Sequence, residues 1–313
     1  MAKRDLLSMD DLTRDDVELL LDTADSFLPI LHRDIKKVPT LRGRTIINLF
    51  YESSTRTLAS FELAGKRLSA DVMNVKASGS SVDKGESLKD TTLTLSAYAP
   101  DIIVIRHPQA GAGGLVSRYT DASVINAGDG KHQHPSQCLL DLFTVRQTLG
   151  RELDGKSVFI VGDVLHSRVA RSDIVGFQLM GMDVTLVAPP TLIPRDVESL
   201  GVRVTHDLAD LGQADIVYLL RMQLERQQPG ANFIPSLREY AALYGMTRER
   251  LRTGQKVMHP GPINRGIEIS AAVADDPDTL IEQQVESGLA VRMAILYRTI
   301  VGMDEGEDEE DEE

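Results

Sequence analysis

This chain predicts an α/β protein of two domains, each an open parallel sheet flanked by helices, with a cleft between them holding the functional site. Three observations predict that class. Short β-rich apolar runs alternate with helix-patterned stretches along the whole chain, the pattern of α/β folds. Most of those runs are continuously apolar rather than alternating, as parallel strands buried on both faces require. At 313 residues the chain also exceeds an ordinary single core, so two domains are expected.

The elements follow in order. The first strand is "TIINLFY" (45–51), and the segment after it, "YESSTRTLASFELAGKRL" (51–68), opens an amphipathic helix with Ser53 as its expected cap. Further strands are "DVMNVKA" (71–77), "DIIVIR" (101–106) and "ASVINAG" (122–128). A second set comprises "SVFIVG" (157–162), "DVTLVAP" (183–189), "VRVTHD" (202–207), "DIVYLLR" (215–221) and "KVMHPGP" (256–262). Helix-like stretches lie at 86–98, 135–149, 168–180 and 280–303, the last apolar enough to return to the first domain. The boundaries expected are 1–141 for the first domain, 142–284 for the second, 285–303 for the returning helix and 304–313 for a disordered tail.

Composition removes several classes. No apolar stretch is long enough to span a bilayer, and the N-terminus has no apolar core of leader length. A single cysteine, Cys138, excludes an internal disulfide framework and fits a reducing, cytoplasmic location. The net charge of −13 argues against a nucleic-acid binder, although nine of the acids fall in the last ten residues, "DEGEDEEDEE". Such a block repels itself and reads as a solubilising tail.

The unusual polar residues fall where strands end. Ser53–Thr57 follow the first strand, and Arg106–His107 end the third. "GDGKHQHPSQ" (128–137), "GDVLHSRVARS" (162–172), Arg221 with Gln223, and "HPGPINRG" (259–266) close four others. Carboxyl ends of parallel strands form the binding crevice of such sheets, so six segments converge on one kind of edge.

Four hydroxyls around Arg56 exceed what a helix cap needs. A helix start offers unpaired N–H groups and partial positive charge, and a guanidinium supplies a forked pair for phosphate oxygens. The plainer reading is a capped helix with solvated hydroxyls. There is no G-x-x-x-x-G-K-[ST] loop and no G-x-G-x-x-G fingerprint, so neither ATP chemistry nor a dehydrogenase is supported. His132 and His134 stand two apart, but Cys138 does not complete a metal set, and Cys138 reads as packing. No metal and no cofactor is expected. His134 before Pro135 reads as a loop hydrogen-bond donor, while His107, His132 and His259 can equally be satisfied structural histidines.

Taken together, "SSTRT", "IRHP", "HPSQCLLDLFT" and "HPGPINRG" resemble the transcarbamoylases over residues 5–303, and within them the branch that uses aspartate. The resemblance implies carbamoyl phosphate in the first domain and L-aspartate in the second. It implies that Ser54, Thr55, Arg56 and Thr57 hold the phosphate, and that Arg106 reaches phosphate and carbonyl oxygen. Thr57, Arg106 and His134 would polarise the carbamoyl C=O, with Gln137 and the backbone near Pro260 fixing its amide. Arg168, Arg221 and Gln223 would receive the carboxylates of aspartate, with Pro260 and Gly261 lining that side. The loop "SGSSVDKGESLKDT" (78–91) would lend Ser80 and Lys84 to a neighbouring subunit, making a homotrimer with shared sites, and Lys84 would touch both substrates. A larger assembly with regulatory or dihydroorotase chains is compatible with the same resemblance. Two alternatives stand beside it: a carbamoyltransferase for another amine such as ornithine, and a non-catalytic binder of a phosphorylated metabolite. The first usually carries a His-Cys-Leu-Pro stretch, where this chain has His259-Pro260-Gly261-Pro262.

Overall fold

The computed structural model describes residues 4–76, 85–223 and 233–302. Ser80, Lys84 and the acidic tail lie outside them. Packing divides the chain into two units, Met1–Leu139 with Ser287–Glu313, and Leu140–Glu286.

The first unit carries strands β1 (Thr45–Phe50), β2 (Asp71–Lys76), β3 (Ile102–His107) and β4 (Ser123–Asp129), all parallel, in the order β2-β1-β3-β4. Its helices are α1 (Arg14–Phe27), α2 (Thr55–Arg67), α3 (Leu88–Ser96) and α4 (Ala112–Ser117). Alternation along β1 sorts its side chains between two layers. Ile47 and Leu49 pack with Leu95 of α3 and with Ala112 and Val116 of α4. Ile46 faces α2, where Gly65 admits the sheet: a Cβ there would sit 2.7 Å from Val72 and 3.1 Å from Ile46. Each fully buried aliphatic side chain of this kind contributes about 1.5–3 kcal/mol. β2 departs from the buried pattern expected of it, since it is an edge strand whose side chains are largely exposed.

The second unit carries β5 (Ser157–Val161), β6 (Asp183–Val187), β7 (Arg203–Thr205), β8 (Ile216–Leu219) and β9 (Lys256–Met258), again all parallel, in the order β7-β6-β5-β8-β9. Phe159, Val161, Val217, Leu219 and Val257 build one core layer with Tyr240, Tyr244 and Val273. Those last three come from α7 (Leu237–Tyr244) and α8 (Ala271–Ala274), and α6 (Arg168–Leu179) sends Phe177 edge-on to Tyr218 at 6.4 Å. The division between units falls inside α5 (Pro135–Leu149) and α9 (Ile281–Val301). Beyond Ser287, α9 belongs to the first unit, with the Arg292 guanidinium 5.2 Å over the Phe61 ring and Arg298 Nε donating to Thr23 Oγ1 at 2.8 Å.

All nine expected strands are present, several of them shorter. "KVMHPGP" stops at Met258 because Pro260 has no N–H to give a ladder. Among the described residues no helix is long and apolar enough to cross a membrane.

Both sheets reverse direction once. In the first, the chain runs outward from β1 to β2 and then returns for β3 and β4. In the second it runs β5, β6, β7 and returns for β8 and β9. The switch points therefore lie between β1 and β3 and between β5 and β8, where open sheets bind ligands.

Candidate active site

In the first unit, α2 begins at Thr55 and its cap position is Ser54, extended at φ −156°. Ser53, the expected cap, lies one residue before the actual cap and is exposed, so it is too early to meet the first-turn amides. Ser54 makes no side-chain capping bond. The cap hydroxyl thus leaves the positive end of α2 to another acceptor, as an anion site requires. Thr55 and Arg56 are exposed on this turn and Thr57 is buried beneath it.

Arg106, near the end of β3, ties that strand to the loop after β1 and to β4. Tyr51 N–H donates to its carbonyl at 2.8 Å, and its Nη1 donates to Ala127 O at 3.2 Å. Its Nε lies 3.4 Å from Glu52 Oε2, two residues before Ser54. The loop after β1 is thereby tied to the carboxyl ends of β3 and β4, and Ser54–Thr57 with Arg106 flank the first switch point. His107 next door is structural: Gln109 N–H donates to its Nδ1 at 3.0 Å, and its ring lies 4.6 Å from that of Tyr51. Burial pushes the His107 imidazole below its ordinary value, a shift that the negative charges of Glu52 and Asp129 only partly oppose.

His134 is buried immediately before α5, whose first residue, Pro135, needs no N–H partner. The His134 carbonyl accepts from Gln137 N at 2.9 Å and Cys138 N at 3.3 Å, and its Nδ1 lies 3.4 Å from Ser136 Oγ. Gln137 and Cys138 are buried as well. His132 turns elsewhere, its Nδ1 lying 3.1 Å from Asp129 Oδ2. Among the described residues no group of three or more His, Cys, Asp or Glu is arranged to hold a metal.

In the second unit, Ser167 caps α6 by accepting from Ala170 N at 3.1 Å. That places Arg168 at the first helical position, its side chain almost wholly buried. Asp163, fully buried, ties this loop to the end of β8. Its Oδ1 lies 2.7 Å from His166 Nδ1, and its Oδ2 accepts from Gln223 N at 3.2 Å. Arg221 Nη2 donates to Gln223 Oε1 at 3.3 Å. The three expected residues Arg168, Arg221 and Gln223 thus sit on the two loops that flank the second switch point. Gly162 makes the approach possible, because a Cβ there would lie 3.0 Å from Leu220 O and from Tyr240 Oη. Burial pushes the Tyr240 hydroxyl upward, reinforced by the negative charges of Glu268 and Asp163, so it stays protonated.

Pro260 and Gly261 are held by a separate buried chain. Tyr218 Oη donates to Asp141 Oδ2 at 2.7 Å, and Gln284 Nε2 donates to Asp141 Oδ1 at 2.6 Å. Gln284 Oε1 accepts from His259 N at 2.9 Å. His259 Nδ1 accepts from Gly261 N at 2.8 Å, which leaves Nε2 to donate to Glu268 Oε1 at 3.2 Å. That same oxygen accepts from Asn264 N at 2.6 Å. His259 is therefore the satisfied structural histidine of the two readings open to it, and it shapes the turn carrying Pro260 and Gly261.

The residues missed by sequence reasoning are mostly acids: Glu52, Asp129, Asp141, Asp163 and Glu268. Asp129 and Asp163 carry a signal. Each follows a glycine at the carboxyl end of a strand, Gly128 at φ +114° and Gly162 at φ +126°. A Gly-Asp step there turns the chain and supplies an acceptor for the loop that follows.

Comparison with known proteins divides the chain in two. Residues 4–147 match the family described as aspartate/ornithine carbamoyltransferase, carbamoyl-P binding domain, and residues 154–299 match its Asp/Orn binding domain. The aspartate carbamoyltransferase catalytic subunit of Pelotomaculum thermopropionicum is 57% identical over 298 residues, covering 94% of this chain and 96% of that one. The crystal structure of aspartate transcarbamoylase from Trypanosoma cruzi in complex with carbamoyl phosphate is 32% identical, with a TM-score of 0.86, covering 95% and 96%. The complex of that enzyme with carbamoyl phosphate and aspartate is likewise 32% identical, with a TM-score of 0.85, covering 95% and 97%.

Proposed function

The chain belongs to the aspartate/ornithine carbamoyltransferase family, and from that premise we propose that it transfers the carbamoyl group of carbamoyl phosphate to the α-amine of L-aspartate. The products are N-carbamoyl-L-aspartate and phosphate, a step of pyrimidine biosynthesis. The observation that carries this reading is the α2 start: a cap hydroxyl making no capping bond, with Thr55, Arg56 and Thr57 on the first turn.

In this reading residues 1–141 bind carbamoyl phosphate and 142–284 bind aspartate. Ser54, Thr55, Arg56 and Thr57 take the phosphate oxygens. Thr57, Arg106 and His134 donate to the carbamoyl oxygen, and Gln137 orients the amide. As the amine attacks, negative charge grows on that oxygen. Removing one preorganised donor to it costs about 3–4 kcal/mol of transition-state stabilisation. Phosphate is already a good leaving group and can take the amine proton, so neither cofactor nor side-chain nucleophile is required. The remaining work is orientation of two anions.

Arg168, Arg221 and Gln223 select aspartate. A cationic ornithine side chain would meet like charge there, whereas a second carboxylate gains charge-assisted bonds. Pro260 and Gly261 complete that side. Ser80 and Lys84 act in the site of a neighbouring copy in a homotrimer, and the single buried cysteine suits the cytoplasm. The test is ureido-product formation with aspartate and ornithine side by side, together with the native mass. Product from aspartate alone and a mass of three chains are expected. Product from ornithine alone, or none from either amine, refutes the reading.

A further inference from the structure

Asp129 ends β4 and is 3% exposed, and its carboxylate meets four donors. Oδ2 accepts from Gly111 N at 2.6 Å and lies 3.1 Å from His132 Nδ1. Oδ1 accepts from Asn126 Nδ2 at 2.9 Å and from Gln133 N at 3.0 Å. Two of these donors are backbone amides of different loops. Gly111 closes the loop that leaves β3 just after Arg106, and Gln133 immediately precedes His134.

The same two loops touch through their backbones. Gly130 N donates to His107 O at 2.9 Å. A Cβ on Gly130 would lie 2.9 Å from both Pro108 O and Ala110 N, and the residue sits at φ +53°. With no side chain between them, the loops form one block pinned on a single carboxylate.

The geometry points to Asp129 as a positioning residue that fixes the spacing between Arg106 and His134. This inference rests on the reading in which those two side chains donate to the carbamoyl oxygen. A carboxylate is needed because both of its oxygens only accept. Asparagine would present an NH2 to two of the four donors, losing two bonds and turning donor against donor.

A misplacement of about 1 Å costs on the order of 100-fold in rate. Asp129→Asn should therefore lower kcat by about 10- to 100-fold while the aspartate KM stays within about twofold. In a His134→Ala background the spacing no longer matters, so adding Asp129→Asn should cost less than about threefold, the non-additivity of residues acting as a unit. A normal kcat in Asp129→Asn, or a full additional loss in the double variant, overturns the proposal. If Asp129→Asn does not fold, His132→Ala and Asn126→Ala each remove one donor. Each should then lower kcat by about two- to fivefold at unchanged aspartate KM, and unchanged kcat in both overturns it. An unmodified chain that forms no carbamoyl aspartate would instead refute the functional reading itself, as would full activity in His134→Ala its assignment.

Discussion

Gly162→Ala places a methyl group at the second switch point, and the structure sets the cost. Gly162 holds φ +126°, a region essentially reserved for glycine, where other residues carry about 1–3 kcal/mol of strain. The new Cβ would stand 3.0 Å from Leu220 O and Tyr240 Oη and 3.2 Å from Leu220 Cβ. Leu220 cannot yield easily, because its N–H is committed to Val161 O at 2.8 Å. Overpacking of this kind costs about 1–3 kcal/mol, against which alanine recovers about 0.4–1 kcal/mol by restricting the unfolded chain. The net loss is about 1–6 kcal/mol. The displaced strand end leads directly into Arg221 and Gln223, so the aspartate KM should rise by at least about 10-fold, with the carbamoyl phosphate KM little changed. Urea denaturation followed by far-UV circular dichroism measures the first effect and two-substrate kinetics the second. An unfolding midpoint equal to that of the unmodified chain would refute the packing argument, and an unchanged aspartate KM would refute the link from β8 to the substrate.

Three further outcomes are expected. Arg56→Ala should lower kcat/KM by at least about 100-fold and leave the melting temperature nearly unchanged, since Arg56 is exposed; turnover close to normal would remove phosphate from this helix start. Arg221→Ala should raise the aspartate KM by about 10- to 100-fold, the equivalent of one charge-assisted hydrogen bond, and an equal rise for carbamoyl phosphate would contradict the division of substrates. His107 is held below its ordinary pKa of 6.5 by burial, so its contribution to stability is full above that pH. As pH falls through 6.5 toward the lower folded value, the unfolded chain binds a proton that the folded one refuses, and stability declines. Melting temperatures at pH 7.5 and 5.5 should therefore differ less in His107→Gln than in the unmodified chain, and equal differences would exclude His107 as the source.

The strands were legible because burial on both faces leaves a run such as "DIIVIR" no polar residue to confuse the pattern. The loops with Arg56, Arg106, His134, Arg168 and Arg221 were legible because cations and hydroxyls recur at strand ends for a reason. Other features hid for physical reasons. The α4 segment "AGGLVS" carries no helix pattern, because glycine is a poor helix former, yet Gly113 is small because a Cβ there would come within 3.2 Å of Leu7. Ser53 and Ser54 are equivalent on paper, and only the helix register separates them. Asp141 draws donors from Tyr218 and Gln284, 77 and 143 residues away, and no local window contains such a partnership. The chain that supports Pro260 and Gly261 is therefore a product of tertiary structure alone.

The return of α9 to the first unit has a consequence for biogenesis. The second unit is continuous in sequence, whereas the first closes only with residues from Ser287 onward. Ala290, Val291, Met293, Ala294, Ile295 and Leu296 are all buried, so the first unit leaves the ribosome with a core side uncovered until the second unit and α9 have been made. Synthesis runs at about 5–20 residues per second, giving the second unit a head start in completing its own core. A nonsense mutation just before Ser287 would accordingly release a second unit whose segment is whole, attached to a first unit lacking its last helix. Such a product would be aggregation-prone at the face that α9 covers.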